Sequence, residues 1–119
     1  MAKKVFLFHW NQAEAEIRAN LLSHDGWDIE FEDSDGARGV KTIKNDIPDA
    51  VVIYLDRLPS HGRETALALK SAKSTSGIPI IFVDGEKETL GKIKTKIPNA
   101  TFTDPKKLHA TLAKVLGKK

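Results

Sequence analysis

The chain predicts an α/β fold: a doubly wound, five-stranded parallel sheet with helices on both faces. Three observations carry this reading. Strand-like and helix-like segments alternate five times along 119 residues. Two strand-like segments, Ala50-Val51-Val52-Ile53-Tyr54-Leu55 and Ile78-Pro79-Ile80-Ile81-Phe82-Val83, are almost continuously apolar, as expected of strands covered on both faces. Strands separated by helices join through right-handed crossovers and therefore run parallel.

The elements follow in order. Val5-Phe6-Leu7-Phe8 is the first apolar run. Asn11 caps the next helix, with Glu14 placed as in a capping box. Ala13, Ile17 and Leu21 recur at helical spacing as its apolar stripe, and Asp25-Gly26 stops it. Trp27, Ile29 and Phe31 alternate with Asp28, Glu30 and Glu32, the period of a half-exposed edge strand. Val40, Ile43 and Ile47 mark a second helix, weakened at its start by Gly36 and Gly39 and ended by Pro48.

Asp56 closes the central strand. Leu58-Pro59-Ser60-His61-Gly62 reads as a loop, and residues 64–73 as a helix with Ala66, Leu69 and Ala72 inward. Ser74-Thr75-Ser76-Gly77 is turn material, and Asp84-Gly85 breaks the fourth strand. Residues 86–96 form a lysine-rich helix with Leu90, Ile93 and Ile97 inward. Ala100-Thr101-Phe102-Thr103 is the last strand. Residues 106–116 are the last helix, striped by Leu108, Leu112 and Val115; Asp104 caps it and Pro105 fits its first turn.

Composition narrows the function classes. Apolar residues make up 40% and charged residues 29%, a globular balance with enough chain for one core. The absence of cysteine excludes a disulfide scaffold, a thiol nucleophile and thiolate-bound metal. No apolar run approaches the roughly 20 residues of a membrane span, and residues 5–8 are too short for a signal-peptide core of about 7–15 residues. A cytoplasmic protein is expected. The net charge of +3 comes partly from the tail, Gly117-Lys118-Lys119, and otherwise from scattered lysines. No dense Arg/Lys stripe with interleaved aromatics suggests nucleic-acid binding. There is no phosphate-binding or dinucleotide glycine motif, and Ser60-His61 lacks a nucleophile-elbow context. His9-Trp10-Asn11-Gln12 is not the Ser/Thr-rich loop expected of an FMN site.

With Asp56…Leu58-Pro59…Gly62, Ile78-Pro79-Ile80-Ile81-Phe82-Val83 and Thr103-Asp104-Pro105 in this order, the chain resembles a response-regulator receiver domain, the CheY-like variety of the flavodoxin-like fold. The resemblance spans nearly all of residues 1–119 and implies one receiver-like domain with strand order 2-1-3-4-5. It implies two-component signalling, in which an aspartate after the third strand accepts a phosphoryl group. Two acidic residues after the first strand hold magnesium there. A hydroxyl after the fourth strand and a lysine before the final proline contact the phosphoryl group. Metal and lysine neutralise charge on the transferring group.

Residue by residue, the site departs from that pattern. The acidic pair falls on His9 and Trp10, the hydroxyl on Asp84 and the lysine on Asp104. Asp56 is the phosphoacceptor candidate, one residue closer to Pro59 than the family spacing allows. Losing one charge-stabilising group of this kind raises a barrier by about 2.7–4 kcal/mol, so a degenerate site, a pseudo-receiver, is expected. The alternative is an active receiver that uses Asp56 with magnesium. The pseudo-receiver needs no cofactor and is no enzyme. The implied partner is a protein, a histidine kinase or another signalling protein, met by a monomer or weak homodimer without nucleic acid or membrane. In receiver families partners dock on the fourth helix, fifth strand and fifth helix, here residues 86–96, 100–102 and 106–116. Their exposed lysines suit an acidic surface.

Each site residue also has a plain structural reading. Asp104 is an N-cap and Asp84 a turn residue; Asp56 pairs with Arg57 or a lysine. His9 is a hydrogen-bonded structural histidine, and Trp10 fills an empty acidic pocket or covers the sheet edge. A third functional reading is a divalent-metal or small-ligand module, in which His9, Asp56, Asp84 and Asp104 converge on one rim.

Overall fold

The computed structural model describes residues 3–117. Met1, Ala2, Lys118 and Lys119 lie outside them, the last two being part of the charged tail named above. The elements are β1 (Lys4–Phe8), α1 (Gln12–His24), β2 (Asp28–Glu32), α2 (Gly36–Asn45), β3 (Ala50–Tyr54), α3 (Pro59–Ser71), β4 (Ile80–Val83), α4 (Lys87–Lys96), β5 (Thr101–Thr103) and α5 (Leu108–Leu116). All strand pairs are parallel, in the order β2-β1-β3-β4-β5. No helix of the described residues is long and apolar enough to cross a membrane.

The sheet divides two cores by strand periodicity. Phe6, Phe8, Val51, Ile53 and Phe82 face α2, α3 and α4, meeting Ile43, Leu69 and Ile93. Val5, Leu7, Val52, Tyr54 and Ile81 face α1 and α5, meeting Leu22, Leu108 and Leu112. The central strands are apolar throughout because both of their faces are covered.

Several sequence expectations are corrected. On α1 the buried positions are Ala15, Ala19 and Leu22, while Ile17 and Leu21 are 57% and 56% exposed. Two alanines let the helix lie close to the sheet, and that choice of face leaves the larger side chains outside. On α2, Val40 and Ile43 are buried but Ile47 lies past the helix end and is exposed. Residues 59–62, read as loop, are the first turn of α3, started by Pro59 at a position where its missing N–H is harmless; Ala72 falls beyond the end of that helix and is half-buried.

The edge strand β2 also departs from simple alternation. Phe31 is exposed and Glu32 is buried. Glu32 accepts hydrogen bonds from Ser34 N (3.1 Å), Asp35 N (3.0 Å), Arg38 Nε (2.8 Å) and Arg38 Nη2 (2.6 Å). A buried carboxylate is tolerated when paired and bonded in this way. Arg38 and the two backbone donors hold its carboxyl down at about 2 against the cost of burial.

Candidate functional site

Parallel strands put their carboxyl ends on one rim of the sheet. Backbone bonds carry the ladder past the strand ends. His9 N donates to the Glu32 carbonyl (3.2 Å), Leu55 N to the Val83 carbonyl (2.9 Å) and Asp84 N to the Thr103 carbonyl (3.0 Å). His9 and Asp84 are therefore anchored by sheet register, and Asp56 follows directly on the anchored Leu55.

Strand parity separates His9 from Trp10. His9 continues the face of Val5 and Leu7, and its ring packs 4.9 Å from the Tyr54 ring. Trp10 continues the face of Phe6 and Phe8, stacking on Phe8 at 5.7 Å with an edge contact to His61. Trp10 borders an open cleft of about 440 Å³ between α2 and α3, whose lining includes Asp35, Gly36, His61 and Thr65. It covers the far side of the sheet and does not fill the space beside His9.

His9 is fully buried. Its Nε2 lies 3.2 Å from Glu14 Oε2 and 3.2 Å from Asp56 Oδ1, yet neither ring nitrogen makes a hydrogen bond. The expected hydrogen-bonded histidine is thus corrected: packing against Tyr54 fixes the ring, and no donor or acceptor meets it in line. Burial pushes its pKa below the ordinary imidazole value, outweighing the pull of Asp56 and Glu14.

Glu14 enters this site from α1. Asn11 caps the helix by accepting from Glu14 N at 3.1 Å. Helical side chains lean toward the helix N-terminus, which brings the Glu14 carboxylate back over the rim instead of closing a capping box. Arg57 Nη2 donates to Glu14 Oε1 at 2.6 Å and holds that carboxyl below its usual range. Arg57 therefore pairs with Glu14, not with Asp56 as its neighbour in sequence suggested. One turn further along α1, the Arg18 guanidinium lies 5.5 Å from the Tyr54 ring centroid, and its buried Nε has no hydrogen-bond partner.

The remaining acids play other parts. Asp84 (φ 62°) and Gly85 (φ 101°) form a left-handed turn that Asp tolerates better than most side chains. Burial pushes the Asp84 carboxyl up, Asp56 and Asp104 add to the rise, and Arg18 opposes it. Asp104 Oδ1 accepts from Lys107 N at 3.0 Å within the turn before α5. The helix begins only at Leu108, with Lys107 at its N-cap and no side-chain cap, so Asp104 and Pro105 close a turn and do not cap or start the helix as expected. Among the described residues, one group of three potential metal ligands brings its donor atoms within 4.8 Å of one another: His9, Glu14 and Asp56. Asp84 and Asp104 lie outside it, one turned by its backbone and the other bonded to Lys107 N in the turn before α5. Glu14 and Arg18 were missed from the sequence because the inward face of α1 was misassigned.

No protein-family model and no curated protein matches the chain. Solved structures do. A response regulator receiver domain from Methylobacillus flagellatus is 21% identical with a TM-score of 0.79, covering 97% of this chain and 99% of its own. A chemotaxis response regulator of Vibrio cholerae is 20% identical with a TM-score of 0.78, covering 98% and 100%. The signal receiver domain of a modulated diguanylate cyclase from Desulfovibrio desulfuricans is 20% identical with a TM-score of 0.76, covering 99% and 96%. The fold is that of a response-regulator receiver domain. Within this receiver fold, Asp56, Arg57 and Leu58 alone bridge Leu55 to α3. Leu58 makes the bend at φ 42°, a left-handed conformation that is costly for a leucine and leaves its side chain exposed. The strained residue of this bridge thus lies two positions after Asp56.

Proposed function

We propose that this chain is a non-enzymatic receiver-like signalling module that acts through protein contacts, with a degenerate phosphorylation site. The observation that carries this reading is the sign of the charge on the rim. Asp84 and Asp104 stand where the resemblance calls for a hydroxyl and a lysine, and the Asp84 carboxyl is pushed up by burial and by both neighbouring acids. A phosphoryl group on Asp56 would add about −2 charge to an environment that already resists one more anion. The lysines at 87, 92, 94, 96, 106 and 107 are exposed around α4 and the start of α5, which supports an acidic protein partner.

Arg18 favours a second reading. Its partnerless Nε and its electrostatic reach to Asp84 and His9 give the rim a cation from α1 in place of the missing lysine. In that reading Asp56 is phosphorylated by a histidine kinase with magnesium. Incubation with acetyl phosphate and Mg²⁺, followed by intact-mass measurement, separates the two. The pseudo-receiver reading expects unchanged mass. Stoichiometric phosphoryl addition that disappears in Asp56→Asn would overturn it.

A further inference from the structure

We propose that His9, Glu14 and Asp56 form a binding site for a zinc-class transition-metal dication. The site differs from the magnesium site that the resemblance implies, because its acidic positions there are His9 and Trp10, and its first donor is an imidazole nitrogen.

The geometry is that of a ligand set. A four-coordinate ion with bonds of about 2.0–2.2 Å holds neighbouring donor atoms roughly 3.3 Å apart. His9 Nε2 is 3.2 Å from Glu14 Oε2 and 3.2 Å from Asp56 Oδ1. All three donor atoms lie within 4.8 Å of one another. His9 supplies the independent indication of a ligand. It is completely buried, sits between two carboxylates, and makes no hydrogen bond through either ring nitrogen. An unbonded buried polar group is expensive, and an ion between the three side chains would satisfy Nε2, the nitrogen that faces both carboxylates.

The surroundings fit this assignment. The Glu14 and Asp56 side chains are about one-third exposed, at 30% and 31%, so an ion can reach the site and the carboxylates can adjust. Arg57 Nη2 holds Glu14 Oε1 at 2.6 Å, and Arg57 Nε makes a longer bond of 3.4 Å to Oε2, the oxygen that also faces His9 Nε2 at 3.2 Å. This is the outer hydrogen bond that commonly orients a ligating carboxylate. One imidazole and two carboxylates suit zinc or its neighbours better than the all-oxygen shell that magnesium prefers. Arg18 and Arg57 are the cations facing the cluster, and two carboxylates offset them. The site uses the unmodified Asp56 carboxylate and does not rest on either reading of the phosphorylation site.

The test is titration of the full chain with Co²⁺, read by its visible d–d absorption, with Zn²⁺ as competitor and by calorimetry. One equivalent of Co²⁺ is expected to bind, to develop an imidazole-containing spectrum and to be displaced by Zn²⁺. Glu14→Gln and Asp56→Asn, both partly exposed and safe for folding, are each expected to weaken binding at least about tenfold. His9→Gln is expected to abolish the spectrum. Variants of the surface histidines, His24→Ala, His61→Ala and His109→Ala, are expected to leave it unchanged. The proposal is overturned if millimolar Zn²⁺ gives neither heat nor displacement, or if Glu14→Gln and Asp56→Asn bind as tightly as the parent. It is also overturned if Mg²⁺ binds as well as Zn²⁺.

Discussion

Arg57 grips Glu14 through Nη2 at 2.6 Å and leaves Asp56, its immediate neighbour, to face His9. The pairing joins the β3–α3 loop to the first turn of α1 and points one Glu14 oxygen at the imidazole. Arg57→Ala should therefore loosen Glu14 without disturbing the sheet. The expected result is unchanged far-UV circular dichroism with Zn²⁺ affinity reduced about tenfold, measured by calorimetry. Unchanged affinity in this variant would show that Glu14 needs no outer partner.

Asp84 reports the charge balance of the rim. Burial, Asp56 and Asp104 all raise its carboxyl pKa, while Arg18 lowers it. In metal-free protein, Arg18→Met should move the Asp84 titration midpoint upward, and Asp104→Asn should move it downward. Carbon-detected NMR of the side-chain carboxyl reads both shifts. A downward shift in Arg18→Met would mean that the guanidinium does not face the rim.

Glu32 should tie stability to acid pH. Its folded pKa of about 2 lies below the ordinary value of 4.5, so its contribution is present above about pH 4.5 and is lost as pH falls toward 2. With allowance for the exposure of Arg38, the contribution is about 2 kcal/mol at neutral pH. Urea unfolding from pH 7 to pH 2.5 should show this loss. Glu32→Gln should be less stable at pH 7 and flatter across the acid window; an equally steep profile would assign the acid loss to other carboxylates.

The glycines of α2 and α4 should respond oppositely to alanine. A Cβ on Gly39 would sit 2.3 Å from Phe8 Cε1 and 2.7 Å from Phe8 Cζ, inside a packed ring that cannot move away freely. A Cβ on Gly91 would meet nothing within 4 Å. Gly91→Ala should gain about 0.5–1 kcal/mol from helix propensity. In Gly39→Ala the clash should outweigh that gain and leave a net loss of about 1–3 kcal/mol. Paired urea titrations compare them directly. By helix propensity Gly39 is only a weak helix former, but its place is set by how closely α2 approaches Phe8 of β1.

The fold was legible because its determinants are local. The short continuous apolar runs at β3 and β4, bounded by turn residues, are strands buried on both faces, and the cap residue Asn11 stands where α1 begins. The rim positions His9, Asp56, Asp84 and Asp104 were also legible, since parallel strands all end on one side. What could not be read was orientation. His9 and Trp10 part company through strand parity, which the sequence reading did not apply past Phe8. Asp84 turns on a left-handed backbone, and Asp104 is occupied by Lys107 N. Glu14 and Arg18 were missed for one reason: the larger residues Ile17 and Leu21 drew the apolar stripe to the wrong face of α1.

That misassigned face gives a direct test. Hydrophobic size argues for Ile17 and Leu21 inside, but close approach to the sheet favours the small side chains Ala15 and Ala19, with Leu22 filling the space beside Trp27. Lysine at Ile17 or Leu21 should change stability by no more than about 0.5 kcal/mol, because each side chain is more than half exposed. Leu22→Ala should remove a buried side chain and lose about 2–5 kcal/mol. Ala19→Leu should lose about 1–3 kcal/mol by forcing α1 away from the sheet, and in doing so should also separate Glu14 from His9 and weaken Zn²⁺ binding. Urea midpoints and a zinc titration on the same four variants would measure this. A strongly destabilised Ile17→Lys with a tolerant Ala19→Leu would return the larger residues to the core and withdraw Glu14 and Arg18 from the rim.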